Sequence, residues 1–169
     1  MQPFWVYPKF ERNGAAALAI GQPAVHLVMP QGLGSGTPLI QHGVLGSVDG
    51  TGVAMVAECG QHFLRASSDL ATEVALDFLA YFGLVERTAA VAPRARQQRF
   101  ELLQTCLVTH ADFHFARPLI GFETFAAGEL VATQGPDEIR APCDHCSVLM
   151  PTREPIVGRE AVYLARPID

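Results

Sequence analysis

The chain has 169 residues, of which 49% are hydrophobic and 17% are charged, a composition typical of one or two globular domains. Its formal net charge is -5 and Arg94, Arg96 and Arg99 form its one basic cluster, which argues against a nucleic-acid partner. There is no apolar run of membrane-helix length, no signal-peptide pattern and no dense cysteine pattern, so the sequence predicts a cytoplasmic protein without a membrane partner.

The first half of the chain alternates helix and strand patterns, which predicts an α/β fold. Residues 14–21 (GAAALAIG) predict a short helix, with Asn13 as its N-cap and Gly21 at its end. Residues 24–29 (AVHLVM) are bounded by two prolines and predict a strand. The segment 30–38 is rich in glycine and proline and predicts a loop.

The run 52–58 (GVAMVAE) is apolar up to its final glutamate, which predicts a strand buried on both faces of a parallel sheet. The clearest helix pattern follows at 67–83, where Ser68 or Asp69 can cap the helix and Gly83 ends it. Its apolar side chains recur at four-residue intervals: Leu70, Val74, Phe78 and Phe82. Together these segments predict a strand–loop–helix unit.

The second half of the chain has a different character. Residues 91–99 predict a linker, and the short strand-like runs that follow are separated by Gly, Pro and Asp pairs. We therefore divide the chain into an α/β part at 1–90, the linker at 91–99 and a small β-barrel or β-sandwich domain at 100–169.

Glu58 is the strongest candidate for a catalytic residue. It ends the run 52–58, and α/β folds bind ligands at the carboxyl ends of parallel strands. A carboxylate in that position can act as a general base. The alternative is a structural role, in which Glu58 caps a backbone group or pairs with Arg65. His62, four residues later, is the histidine best placed to contact a substrate.

Other motifs favour structural interpretations. The segment 32–36 (GLGSG) lacks the Lys-Ser/Thr ending of a P-loop and predicts a flexible loop. His26 lies in an apolar strand and is predicted to be a core residue with one hydrogen bond. His110 and His114 are spaced like two ligands on a helix, but their segment reads as strand and loop, so a structural role is preferred.

Cys143 and Cys146 form a C-x-x-C motif with Asp144 and His145 between them. A structural zinc needs four ligands, and this cluster offers at most three. A thioredoxin-like motif would open a helix, whereas here a proline precedes the motif and a β-rich run follows it. A hairpin turn with Asp144 at its tip is the preferred interpretation. A metal or redox role is the alternative.

Three segments carry a resemblance to a known family. Residues 52–85 have an apolar strand that ends in Glu, then Cys-Gly, a loop and a long helix that closes on Phe-Gly-Leu-Val. Residues 15–28 (AAALAIGQPAVHLV) have a helix–Gly–x–Pro–strand pattern, and residues 126–151 contain an Ala-Pro-x-Asp turn in which His145 replaces the usual Gly. This pattern resembles the succinylglutamate desuccinylase/aspartoacylase family of zinc-dependent, carboxypeptidase-like hydrolases.

The resemblance implies an enzyme that removes the acyl group from an N-acyl amino acid or a similar small substrate. Glu58 would be the general base and acid that acts on a metal-bound water. Cys59, Gly60 and His62 would line the substrate pocket. The family binds zinc through an H-x-x-E pair and a later histidine that precede the glutamate strand. This sequence contains no H-x-x-E, so the zinc ligands are expected outside this chain.

The resemblance therefore covers only the C-terminal half of the family's architecture. The first hypothesis is part of a zinc-dependent deacylase, a truncated or split enzyme whose isolated chain is inactive. The second is a non-catalytic binding or assembly module, which forms a homo-oligomer or complements an N-terminal half, because half of an α/β domain exposes sheet edges and apolar surface.

Overall fold

The computed structural model describes residues 2–30, 37–87 and 95–168. The chain divides into two compact units, an N-terminal unit at Gln2–Arg99 and a C-terminal unit from Phe100 onward. The predicted loop at 32–36 and residues 91–94 of the predicted linker lie outside the described residues. No described helix is both long enough and apolar enough to span a membrane.

The N-terminal unit contains a small mixed sheet and two helices. Its strands are β1 (Phe4–Pro8), β2 (Val25–Met29) and β3 (Val56–Glu58), and its helices are α1 (Glu11–Ile20) and α2 (Arg65–Tyr81). Two 3-10 turns, Leu39–Gln41 and Gly43–Leu45, precede β3. Strand β1 lies between the other two, parallel to β2 and antiparallel to β3. A mixed sheet with helices agrees with the predicted α/β class.

The core of this unit is built mainly from side chains of α1, β1 and β2. Its buried side chains are Phe4, Trp5, Tyr7, Ala16, Ala17, Ile20, Val25, Leu27 and Val28. Two of the buried residues of α1 are alanines, and their short side chains let the helix backbone approach the strands closely. Burial of this apolar surface supplies most of the driving force for folding of the unit.

The boundaries of α1 only partly match the prediction. Gly21 ends the helix as predicted, with a left-handed φ of 80° that glycine adopts without strain. Asn13 is not the N-cap, because the helix begins at Glu11 after Phe10. The earlier start places the carboxylate of Glu11 in the first turn, where it interacts favourably with the helix dipole.

Strand β3 differs most from the prediction. It has three residues and pairs antiparallel with β1, and in the described part of the chain it lies at the edge of the sheet. Val56 is 39% exposed, so the strand is not buried on both faces. A continuous apolar run indicates what a segment is able to bury, but it does not specify which strands lie beside it. The prediction of a parallel strand buried on both faces was therefore wrong.

The helix α2 begins earlier than predicted. Leu64 is its N-cap, so Ser68 and Asp69 lie inside the helix rather than at its start. Gly83 follows the helix with a φ of 71°, which agrees with the predicted end. Among the apolar side chains at four-residue intervals, Val74 is buried, whereas Phe82 is 45% exposed. The helix thus carries more apolar surface than the described residues cover.

The C-terminal unit consists of β-strands. They are β4 (Gln98–Leu107), β5 (His114–Phe115), β6 (Thr124–Phe125), β7 (Leu130–Gln134), β8 (Asp137–Arg140), β9 (Cys146–Leu149) and β10 (Glu160–Ile168). Strands β4, β10, β9 and β6 lie side by side in that order, and β5, β7 and β8 form a second sheet. One buried apolar cluster includes residues of both sheets, among them Cys106, Val131, Val148 and Leu164.

The β-rich character of this unit agrees with the sequence pattern, but two details differ. The described strands form no closed barrel, so the barrel alternative is not supported. The turn at 143–146 does not join a hairpin, because β8 pairs with β7 while β9 pairs with β10 and β6. Local turn chemistry predicts a change of direction, but the choice of partner strands depends on the shared core.

Gly135 occupies the two-residue turn that joins β7 to β8. Its φ is 56°, and an added Cβ would lie 2.8 Å from the His110 ring. We expect Gly135→Ala to lower the free energy of unfolding by about 2 kcal/mol, because a left-handed alanine is strained and the ring must move. Gly128→Ala is the matched control, since Gly128 has a φ of 76° but open space around it.

Gly128→Ala should lower the free energy of unfolding by about 1 kcal/mol, because only the backbone is strained. Denaturant unfolding followed by circular dichroism measures both variants. Equal losses at Gly135 and Gly128 would show that the His110 contact contributes nothing.

Candidate active site around Glu58

Glu58 is the last residue of β3 and lies opposite Phe4 of β1. It is half-buried, and no hydrogen bond or ion pair to its carboxylate is found among residues 2–30, 37–87 and 95–168. Arg65, the structural partner considered from the sequence, lies 3.6 Å from Asp69 instead and is 93% exposed. Among the described residues, the Glu58 carboxylate therefore does not form the ion pair with Arg65 that the structural alternative requires.

Cys59, Gly60 and His62 follow Glu58 in the turn that leads from β3 to α2. The Cys59 thiol donates to the carbonyl of Ala57 at 3.6 Å. Burial, together with the charge of Glu58, raises the pKa of the Cys59 thiol, so it stays protonated at neutral pH. His62 is exposed, and the centroid of its ring lies 6.2 Å from that of Phe63. The four predicted site residues thus lie together in one continuous segment, with Glu58 at the strand end and the other three after it.

Arg12 of α1 holds the segment that precedes β3, a role that sequence reasoning missed. Its Nε donates to the carbonyl of Gly52 at 2.8 Å, and one terminal nitrogen donates to Ser47 at 2.8 Å and to Leu45 at 3.1 Å. Its guanidinium also stacks on the Phe10 ring at 4.2 Å. A single side chain thereby connects the start of α1 to the chain that leads into the glutamate strand.

Asn13 adds a second connection from α1. It is fully buried, its Nδ2 donates to the carbonyl of Pro8 at 3.2 Å, and its Oδ1 accepts from the N–H of Ala54 at 3.3 Å. Because a buried amide needs such partners, both contacts contribute to holding β1 and the approach to β3. No local pattern in the sequence indicates a contact across 41 residues.

We expect Arg12→Ala to lower the free energy of unfolding by about 2 kcal/mol, because several backbone carbonyls lose a charged donor. Arg65→Ala is the control, since its exposed ion pair with Asp69 contributes at most about 0.5 kcal/mol. Urea titration of both variants makes the comparison. Similar small losses in the two would show that the Arg12 contacts do not hold the segment.

A cavity of about 820 Å³ lies elsewhere in the N-terminal unit. It is lined by Lys9, Phe10, Glu11, Arg12, Ala15, Pro30, Val48 and Gly50. None of the four predicted site residues belongs to its lining. The candidate catalytic residue, Glu58, therefore does not line this cavity.

Zinc does not fit the described part of this chain on its own. Residues 2–30, 37–87 and 95–168 contain no group of three or more His, Cys, Asp or Glu side chains that could hold a metal ion. Catalytic zinc takes three protein ligands, and the described residues do not group three such side chains.

Three of the other histidines, His26, His110 and His114, have structural contacts. His26 is buried and its Nδ1 lies 3.0 Å from the Tyr7 hydroxyl, which matches the predicted core residue with one hydrogen bond. The Thr133 hydroxyl lies 2.9 Å from Nε2 of His114, and the Thr109 hydroxyl lies 2.9 Å from Nδ1 of His110.

No protein-family model matches the chain, and no curated protein matches it. Solved structures do match its fold. Succinylglutamate desuccinylase from Vibrio cholerae aligns with a TM-score of 0.68 and 20% identity, over 99% of this chain and 49% of that one. The succinylglutamate desuccinylase from Vibrio parahaemolyticus aligns with a TM-score of 0.64 and 17% identity, over 99% of this chain and 50% of that one. A succinylglutamate desuccinylase/aspartoacylase from Rhodobacter sphaeroides aligns with a TM-score of 0.66 and 16% identity, over 99% of this chain and 54% of that one.

The mixed sheet and its two helices thus define an α/β protein with a carboxypeptidase-like fold. The resemblance to the succinylglutamate desuccinylase/aspartoacylase family is confirmed at the level of the fold by these neighbours. The chain spans about half the length of each of them, as expected for the C-terminal half of such a protein.

Proposed function

We propose that this chain is one half of a deacylase that hydrolyses the amide bond of an N-acyl amino acid or a similar small acylated substrate. The observation that carries the proposal is the position of Glu58, which ends a strand in a fold shared with succinylglutamate desuccinylases. Its carboxylate has no arginine partner among the described residues.

In the proposed reaction, Glu58 takes a proton from the water that attacks the acyl carbon. The protonated carboxyl then gives that proton to the leaving amine, which returns Glu58 to its starting state. Zinc, which the resemblance implies, would require ligands outside the described residues. The chain by itself is therefore expected to be inactive.

Cys59, Gly60 and His62 are proposed to line the substrate side of Glu58, because they follow it in the same turn. The neutral thiol of Cys59 suits a packing role better than a nucleophilic one, since the thiolate is the reactive form. His62 is exposed and has room to contact a polar substrate group.

A chimera tests the proposal. This chain replaces the matched half of the Vibrio cholerae succinylglutamate desuccinylase, which leaves the other half of that protein in place. We expect the chimera to release glutamate from N-succinylglutamate and this chain alone to release none. A chimera that folds and binds zinc but has no hydrolytic activity would contradict the proposal. Zinc content and circular dichroism establish folding independently of activity.

A second candidate function is a binding or assembly module without catalysis of its own. Strand β3 is an edge strand in the described sheet, and the N-terminal unit exposes several large apolar side chains: Leu39, Val44, Val48, Phe63 and Leu84. Exposed strand edges and apolar surface commonly mark interaction sites. We propose that this surface is covered by a segment that corresponds to the half of the neighbouring structures that this chain does not match. That segment belongs either to the same polypeptide or to a separate one.

Sedimentation velocity distinguishes the assembly candidates. We expect this chain to form a 1:1 complex with a polypeptide that corresponds to the unmatched half. A stable homodimer would instead identify a second copy as the occupant. A monomer with no affinity for that half would contradict assembly.

A further inference from the structure

The C-x-x-C motif is not used by the proposed function, and the structure places its two cysteines at the ends of one tight turn. Residues 144 and 145 form a hydrogen-bonded turn between Cys143 and Cys146. The two ends of such a turn lie within about 7 Å of each other at Cα. Disulfides span Cα separations of about 4.4–6.8 Å, so the backbone of this turn is compatible with a disulfide.

The side chains of the two cysteines also lie in one apolar environment. Both thiols are free. Cys146 is fully buried in the apolar cluster of the C-terminal unit, and Cys143 is half-buried and packs against the same cluster. The turn and the shared cluster therefore hold the two cysteines close together.

The turn itself is held by a hydrogen bond to a neighbouring segment. The Asp144 carboxylate accepts a hydrogen bond from the N–H of Ala127 at 2.9 Å. His145 has a φ of 54°, a left-handed conformation that a residue with a side chain seldom adopts. The turn keeps this conformation despite the unfavourable φ, so the two cysteines stay next to each other.

We propose that Cys143 and Cys146 are an oxidisable pair that closes a reversible disulfide across this turn by exchange with a small-molecule disulfide. The Cys143 thiolate attacks one sulfur of that molecule, which forms a mixed disulfide and releases the first small thiol. Cys146 then attacks the sulfur of Cys143 and expels the second small thiol. Two protein thiols are oxidised, one small disulfide is reduced, and the two protein protons pass to the released thiolates.

The different burial of the two cysteines sets the order of these steps. Burial raises the pKa of the Cys146 thiol to about 12, so its thiolate is scarce at neutral pH. Cys143 is the more accessible of the two and reacts first with an external disulfide. Cys146 is then the resolving residue, because the turn holds it beside Cys143.

Two other assignments for the cluster are less well supported. Cys106 of β4 is buried in the same apolar cluster and is a competing partner for Cys146. It belongs to a different strand, whereas Cys143 shares the turn with Cys146. A metal site has no support among the described residues, because no three ligands are grouped to hold an ion.

The test treats the folded chain with oxidised glutathione and measures its intact mass. We expect the mass to fall by that of two hydrogens, and the number of cysteines that alkylate after denaturation to fall from four to two. Peptide mapping should place the link between Cys143 and Cys146, and dithiothreitol should restore both thiols.

Three variants make the test specific. Cys143→Ser should abolish the internal link, and its half-exposed position makes the fold tolerant of the change, which circular dichroism checks. Cys59→Ala and Cys106→Ala should form the link as the unchanged chain does. A link that persists in Cys143→Ser, or a glutathione adduct on Cys143 that never resolves, would overturn the proposal. Absence of any reaction by the folded chain would overturn it too.

Discussion

Replacing Glu58 with glutamine is expected to reduce kcat for amide hydrolysis in the chimera by about 10²- to 10⁴-fold, the usual contribution of a general acid–base group. Glutamine has nearly the same shape but can neither take a proton from water nor give one to the leaving amine. KM should change little, because the amide keeps the volume and the polarity of the side chain. Steady-state release of glutamate measures both parameters.

Glu86→Gln is the matched control, because Glu86 is an exposed carboxylate that follows α2 in the same unit. It should retain the full rate. Equal activity of the Glu58 and Glu86 variants would contradict a proton-transfer role for Glu58, provided that both bind zinc equally. Loss of zinc in the Glu58 variant alone would instead indicate that its carboxylate supports the metal site.

Acidification is expected to destabilise the N-terminal unit by about 3 kcal/mol between pH 6.5 and pH 4 through His26 alone. The histidine lies in β2, is fully buried and contacts the Tyr7 hydroxyl of β1. Burial, assisted by the positive charge of Arg99, lowers the pKa of His26 from 6.5 to about 4. The folded state therefore excludes a proton that the unfolded chain accepts.

The loss of stability on acidification follows from this difference in proton binding between the folded and unfolded states. Above pH 6.5 the histidine is neutral in both states and its contribution to stability is complete. As the pH falls below 6.5, the unfolded state takes up the proton first, and the free energy of unfolding falls by about 1.4 kcal/mol per pH unit. The loss ends near pH 4, where the folded state is protonated as well.

His26→Gln should remove this part of the pH dependence, because glutamine retains hydrogen-bonding atoms but does not titrate. His42→Gln is the control, since His42 is exposed, and it should leave the slope unchanged. Urea unfolding at a series of pH values from 4 to 7 provides the comparison. An unchanged slope in His26→Gln would show that the buried imidazole does not set the acid sensitivity.

The candidate site could be proposed from the sequence because it rests on local patterns. Glu58 and the residues that follow it occupy one continuous segment, and an apolar run that ends in a carboxylate is visible without any partner. The residues that hold this segment could not be found in the same way. Arg12 and Asn13 reach it across 40 and 41 residues, and nothing near them in the sequence marks those contacts.

The sequence by itself determined the class of the fold, strand β2, the glycines that end both helices and the position of the candidate glutamate. Each of these depends on hydrophobic periodicity or on the left-handed conformation that glycine adopts without strain. Only the tertiary structure decided that β3 is a short antiparallel edge strand and that the turn at 143–146 links strands of two different sheets. Strand partners are chosen by burial against distant segments, and that choice leaves no local pattern in the chain.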